Sequence, residues 1–119
     1  MKAAEIFTPF FRKMALFVWI CAIWIGSLIP LSAPPVSHGD KFEHFIGYAV
    51  LAVLGFLNWP RLFYVWLAAS LMGVSVEIAQ SFTSWRSFDL YDMLANSIGA
   101  CIGLIVCLLC SRKSTLLLK

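Results

Sequence analysis

Residues 77–96 read EIAQSFTSWRSFDLYDMLAN, a polar island between long hydrophobic runs. The island carries Glu77, Gln80, Arg86, Asp89, Asp92 and Asn96. A second cluster at residues 40–48 adds Asp40, Lys41, His44 and Tyr48. These side chains have the range needed for ligand or acid–base chemistry. Carboxylates and an imidazole can relay protons or hold a divalent ion. The planar fork of an arginine suits a carboxylate or a phosphate. Each residue also has a plain structural reading. Asp89 and Asp92 can cap a helix start and favour its dipole. His44 can hydrogen-bond to Tyr48 or Asp40, and Glu77 can pair with Arg86 across the loop between them.

The surroundings of these residues narrow the choice. The chain has 119 residues, 61% of them hydrophobic and 13% charged. Soluble domains carry about a quarter charged residues. Most of this chain therefore needs a solvent other than water, and a bilayer supplies it. The net charge of +3 is not a nucleic-acid footprint, because the basic residues are scattered between apolar runs. Cys21, Cys101, Cys107 and Cys110 all lie inside hydrophobic runs, so a disulfide framework is not expected. Cys107 and Cys110 have C-x-x-C spacing, but apolar surroundings make thiols inert. Neither a metal nor another cofactor is expected.

The elements that must hold the polar residues follow from the punctuation of the chain. Residues 1–13 form a basic, amphipathic lead, and 14–31 an apolar run close to the ~20 residues that span a bilayer. Small residues do not stand where a signal-peptide cleavage site needs them, so the run reads as a retained helix. Residues 32–39 are a loop containing Pro34 and Pro35. Asp40 can cap a second helix, with Glu43 completing a capping box, and that helix runs to about Trp59. Pro60 and Arg61 make a tight connection to a third helix, from Leu62 to Phe82. After a loop at 83–88, Asp89 can cap a fourth helix running to about Cys110. The result is an all-α, four-transmembrane-helix bundle at 14–111, with a basic tail at 112–119.

Counting Lys and Arg orients the bundle. One side collects Lys2, Arg12, Lys13, Arg61, Arg112, Lys113 and Lys119, and the other only Lys41 and Arg86. The positive-inside rule then makes both termini cytoplasmic. The polar clusters fall on the opposite, outward side. Helix periodicity gathers them further. His44, Tyr48, Leu51 and Gly55 share one stripe; Ser70, Gly73, Glu77 and Gln80 another; Asp89, Asp92, Asn96, Gly99 and Gly103 a third. Tyr48, Glu77 and Asn96 lie at one depth, roughly 8–10 Å inside their helix ends at 1.5 Å per residue. Small residues let helices approach closely in lipid, so these stripes should face inward as one outward-opening pocket. The Trp and Phe residues read as lipid-facing or interfacial, and Asn58 and Trp59 as the inner interface.

The pattern resembles the VanZ-like family of small bacterial membrane proteins. The first helix ends in Ser27-Leu-Ile-Pro30. The second begins Asp40-Lys41-Phe-Glu-His44-Phe-Ile-Gly-Tyr48. The third ends Glu77-Ile-Ala-Gln80-Ser-Phe82, and Arg86, Asp89, Asp92, Asn96 and Gly99 follow at the family's spacing. The resemblance covers residues 27–103. It implies a multi-pass protein of the bacterial inner membrane and cell envelope. The family's founding member is associated with low-level resistance to the glycopeptide teicoplanin.

The expected ligand-binding set is Asp40, Lys41, His44, Tyr48, Glu77, Gln80, Arg86, Asp89, Asp92 and Asn96. The expected ligand is a lipid headgroup, a cell-wall precursor or an amphiphilic antibiotic, and no nucleic acid. Two alternatives stand beside binding. In a membrane-embedded hydrolase or transferase acting on lipid-linked phosphate, His44, Glu77 and Asp92 are the catalytic candidates. There Asp40, His44, Glu77 and Asp92 would bind a divalent metal or act as acid and base, and Arg86 would hold phosphate. In a small proton-coupled transporter, Glu77 is the coupling carboxylate.

Overall fold

The structure is a computed structural model. It describes the backbone of residues 8–29, 39–83 and 90–117, and the side chains of 8–29, 42–83 and 90–112. Among the described residues every element is a helix: α1 (Pro9–Leu28), α2 (Gly39–Asn58), α3 (Leu62–Ser81) and α4 (Leu90–Leu117). Residues 32–38 of the expected loop and the cap at Asp89 lie outside the described residues, and Gly39, the loop's last residue, is helical.

Several helix limits differ from the sequence reading, and three of them have a local reason. Helix α1 starts at Pro9 rather than at residue 14, because Thr8 caps it. Thr8 Oγ1 accepts a hydrogen bond from the Phe11 amide at 3.3 Å, and proline at the first helical position has its φ already set for a helix. The same helix stops at Leu28 rather than Leu31. Ile29 is extended, at φ −83° and ψ 129°, as expected of a residue preceding a proline. Helix α4 continues past Cys110 to Leu117, since the sequence offers neither Gly nor Pro to end it there. Helix α2 begins at Gly39, one residue ahead of the expected cap.

Three helices are long and apolar enough to cross a membrane: Pro9–Leu28, Leu62–Ser81 and Leu90–Arg112. Helix α2 contributes a shorter apolar stretch, Phe42–Asn58. The distribution of side chains is inverted relative to a water-soluble bundle. Phe17, Phe63, Leu71, Ile98, Ile105 and Leu109 face outward, while Glu77, Gln80, Asp92 and Asn96 are buried. Such an arrangement suits a hydrocarbon exterior.

Helix α4 packs most extensively against α2, and two glycines make that contact possible. A Cβ placed on Gly99 would collide with the carbonyl oxygen of Phe45, and one on Gly103 with that of Ala49. The expected small-xxx-small seam is therefore a backbone-to-backbone contact between α2 and α4. Tyr48, Leu51, Ala52, Val65, Ala69, Ala100 and Leu104 fill the core of α2, α3 and α4.

Helix α1 is peripheral, with no buried residue, and side-chain hydrogen bonds tie it to its neighbours. Trp19 Nε1 donates to Gly47 O at 2.9 Å. Gln80 Nε2 donates to Ser27 O at 2.9 Å. Arg12 Nη1 donates to Leu57 O at 3.3 Å, and Asn58 Nδ2 to Arg12 O at 3.1 Å.

Candidate functional site

The polar residues meet at one end of the bundle, where α2 and α4 begin and α3 ends. Helix α2 brings His44 and Tyr48, one turn apart. Helix α3 brings Glu77 and Gln80, and α4 brings Asp92 and Asn96, again one turn apart. Glu77 and Asn96 are each 1% exposed, Gln80 0%, Tyr48 2% and Asp92 3%. The inward-facing stripes expected from periodicity are present on all three helices.

His44 joins α2 to α4 at this end. Its Nδ1 is 3.0 Å from Asn96 Oδ1, which as an acceptor requires the proton to be on Nδ1. Its Nε2 lies 3.8 Å from Asp92 Oδ2, an ion pair whenever the ring carries both protons. The imidazole is thus held between two residues of one helix face. Asn96 is thus a hydrogen-bond partner of His44, whereas Tyr48 Oη, one partner expected from the sequence, makes no hydrogen bond among the described residues; the side chain of Asp40, the other, lies outside them.

Gly73 explains how Tyr48 and Asn96 fit. A Cβ at Gly73 would come within 2.9 Å of Asn96 Nδ2 and 3.4 Å of Tyr48 Cε1. The missing side chain leaves room for both to pack against α3. Glu77 sits one turn further along α3 and is buried with them. Gln80 faces the other way and binds the carbonyl of Ser27. That carbonyl lies in the last turn of α1, where helical partners run out. Gln80 thereby anchors α1.

Several polar atoms here lack a hydrogen-bond partner among the described residues: Tyr48 Oη, Asn96 Nδ2 and Gln80 Oε1. A buried polar atom left so costs about 1–3 kcal/mol, and in natural proteins such atoms are few. Their concentration at one end of the bundle marks it as the candidate site. The side chains of Asp40 and Lys41, with Arg86, Asp89 and the Glu77–Arg86 pair, lie outside the described residues. Among the described residues no three metal-ligating side chains come together in a geometry that would hold an ion.

The sequence reading missed four contributors. Trp19 and Trp66 are not simply lipid-facing. Trp66 Nε1 donates to Ser97 O at 3.3 Å, beside a 3.2 Å bond from Ser97 Oγ to Ser70 Oγ, and Trp19 binds α2 as described above. Asn58 ties α2 to α1 rather than merely marking an interface. Trp59 lines a cavity. An indole or amide directed at a backbone carbonyl leaves no sequence signal, since every residue has that carbonyl. Only Asn58, a polar residue between apolar runs, offered a hint.

Comparison with known proteins gives a family and a relative. The family model described as VanZ/LLP1 matches residues 2–111. The chain is similar to an uncharacterized protein of Schizosaccharomyces pombe, 28% identical over 109 residues, covering 86% of this chain and 67% of that protein. No solved structure matches the chain significantly.

Proposed function

The chain belongs to the VanZ/LLP1 family, and from that premise we propose that it is an envelope membrane protein whose polar end binds an amphiphile by its headgroup. The observation that carries this reading is the burial of Tyr48, Glu77, Gln80, Asp92 and Asn96 in a bundle whose outside is hydrocarbon. Ionisable groups at such positions are expensive, and they typically mark ligand or ion pathways. All four helices cross the membrane in this reading, both termini are cytoplasmic, and the polar end faces outward. The clustering of Arg12, Lys13, Arg61 and Arg112 at the opposite end supports that orientation. The membrane is the bacterial cytoplasmic membrane.

Of the three ligand classes, a lipid headgroup is favoured. A lipid is common to a bacterial membrane and to the fission yeast that holds a similar protein, whereas a bacterial cell-wall precursor is not. Arg86 supplies the cation for a phosphate. His44, Tyr48, Glu77, Asp92 and Asn96 shape the polar wall, and Asp40 and Lys41 complete the proposed binding set.

The test compares lipids co-purifying with wild type and with a Glu77→Gln/Arg86→Ala variant, both checked for helicity. A lipid enriched over the bulk membrane in wild type and lost from the variant is the expected result. Identical lipid profiles would remove the proposal.

One observation favours a second reading, hydrolysis or transfer on lipid-linked phosphate. His44 is held by Asn96 with Asp92 3.8 Å from its other nitrogen, as a general base is held by an orienting partner. Phosphate release from a lipid-linked diphosphate, abolished by His44→Ala, is its test. Proton-coupled transport through Glu77 is less well supported, because below Asn96 the α2–α4 seam closes as backbone contact at Gly99 and Gly103.

A further inference from the structure

The opposite end of the bundle contains a partly open cavity of about 360 Å³ with an almost wholly apolar wall. Its volume falls within the ~300–1,000 Å³ of small-molecule sites. Helix α1 contributes Leu16 and Ile20, α2 contributes Leu51 and Gly55, and Val65, Ala68 and Met72 come from α3. Trp59 and Tyr64 stand at its mouth, where aromatic residues typically meet the membrane–water boundary.

The two apolar stripes that line the groove both end in a cation. On α1, Arg12, Leu16 and Ile20 recur every four residues, so the guanidinium lies one turn beyond the groove wall on the same face. On α3, Arg61 caps the helix and leads into Val65, Ala68, Ala69 and Met72 at helical spacing. Among the described residues no acid pairs with Arg12 or Arg61. Arg12 Nε is buried without a hydrogen-bond partner among them, although Nη1 holds Leu57 O. An apolar slot with a cation one turn beyond its wall on each of two helices has the chemistry of an anionic lipid, with the tail inside and the phosphate at the rim.

We propose that this groove is a specific site for one acyl chain of an anionic phospholipid, with Arg12 and Arg61 holding its phosphate. The site is separate from the polar end and does not depend on what binds there. It draws its lipid from the leaflet at the Arg61 end. Small residues shape the slot: Gly55 lets Val65 pack close, where a Cβ would meet Val65 Cγ1 at 3.0 Å, and Ala68 leaves wall space that a larger side chain would fill.

The experiment uses the full chain in nanodiscs of mixed phosphatidylglycerol and phosphatidylcholine, with a phosphatidylglycerol bearing a mid-chain diazirine as probe. Light-driven labelling is expected to concentrate on peptides holding Leu16, Ile20, Ala68 and Met72. Unlabelled phosphatidylglycerol should compete, and phosphatidylcholine should compete poorly. Ala68→Phe, which fills the slot, should lower that labelling about tenfold. Arg61→Gln should leave the labelled positions unchanged and weaken the preference for the anionic lipid by about fivefold. The proposal is overturned if labelling spreads evenly around the outer faces. Equal competition by the two lipids, or occupation of the slot by a second copy of the chain, would overturn it as well. The wild-type labelling map decides these points even if a variant fails to fold.

Discussion

The two ends of this bundle are filled in opposite ways. At the polar end the space between α2, α3 and α4 is taken up by Tyr48, Glu77, Asp92 and Asn96, and His44 bridges two helices. At the basic end α1, α2 and α3 leave a cavity lined by Leu16, Leu51, Val65 and Met72. The difference follows from what each kind of surface needs. A buried polar group must find a partner or incur its desolvation, and the polar end still holds Tyr48 Oη and Asn96 Nδ2 without one among the described residues, ready for a headgroup. An apolar surface in a membrane loses little by facing a gap that a lipid tail can fill. A polar interior at one end and an apolar slot at the other are thus two answers to one hydrocarbon surrounding.

That comparison can be broken most sharply at the seam beneath the polar end. Gly99→Val forces a side chain onto the Phe45 carbonyl, and overpacking of this kind costs about 1–3 kcal/mol or more. It should produce the largest fall in thermal midpoint of any single change, and a wild-type melting curve would disprove the backbone contact. Asn96→Ala comes next. It removes the 3.0 Å hydrogen bond between His44 Nδ1 and Asn96 Oδ1, worth about 1–2 kcal/mol for a polar tie between membrane helices, measurable by reversible unfolding in detergent.

Smaller effects belong to the ties of α1. Gln80→Leu removes the hold on the Ser27 carbonyl, and interhelical hydrogen bonds in membranes average about 0.6 kcal/mol. Its signature is local: hydrogen exchange rises in the last turn of α1 while α2 and α4 are unaffected. Gly47→Ala is the control. A Cβ there meets nothing within 4 Å, so the melting point should stay level or rise slightly, up to the ~1 kcal/mol helix propensity of Ala over Gly. A loss as large as that at Gly99 would show that the contrast between the two glycines is not one of packing.

Much of the site could be read from spacing. His44 and Tyr48, Glu77 and Gln80, and Asp92, Asn96, Gly99 and Gly103 fall on inward faces because polar and small residues at 3.6-residue intervals have nowhere else to go in lipid. The start of α1 was also written in the sequence, as Thr8 followed by Pro9, but the apolar run beginning at Met14 drew the boundary inward. The partners were not legible. Tyr48 was chemically acceptable to His44, and only the register of α2 against α4 brought Asn96 to its Nδ1.

The sequence by itself determined four helices, their inward faces and the membrane character of the chain, because periodicity and hydropathy act locally. The tertiary structure decided that Gln80 caps α1, that Trp19 and Trp66 reach backbone carbonyls, and that a slot opens beside Trp59. Those depend on how far apart the helix axes lie and how they are rotated. Both are set by side chains from several helices at once, which no single stretch of sequence displays.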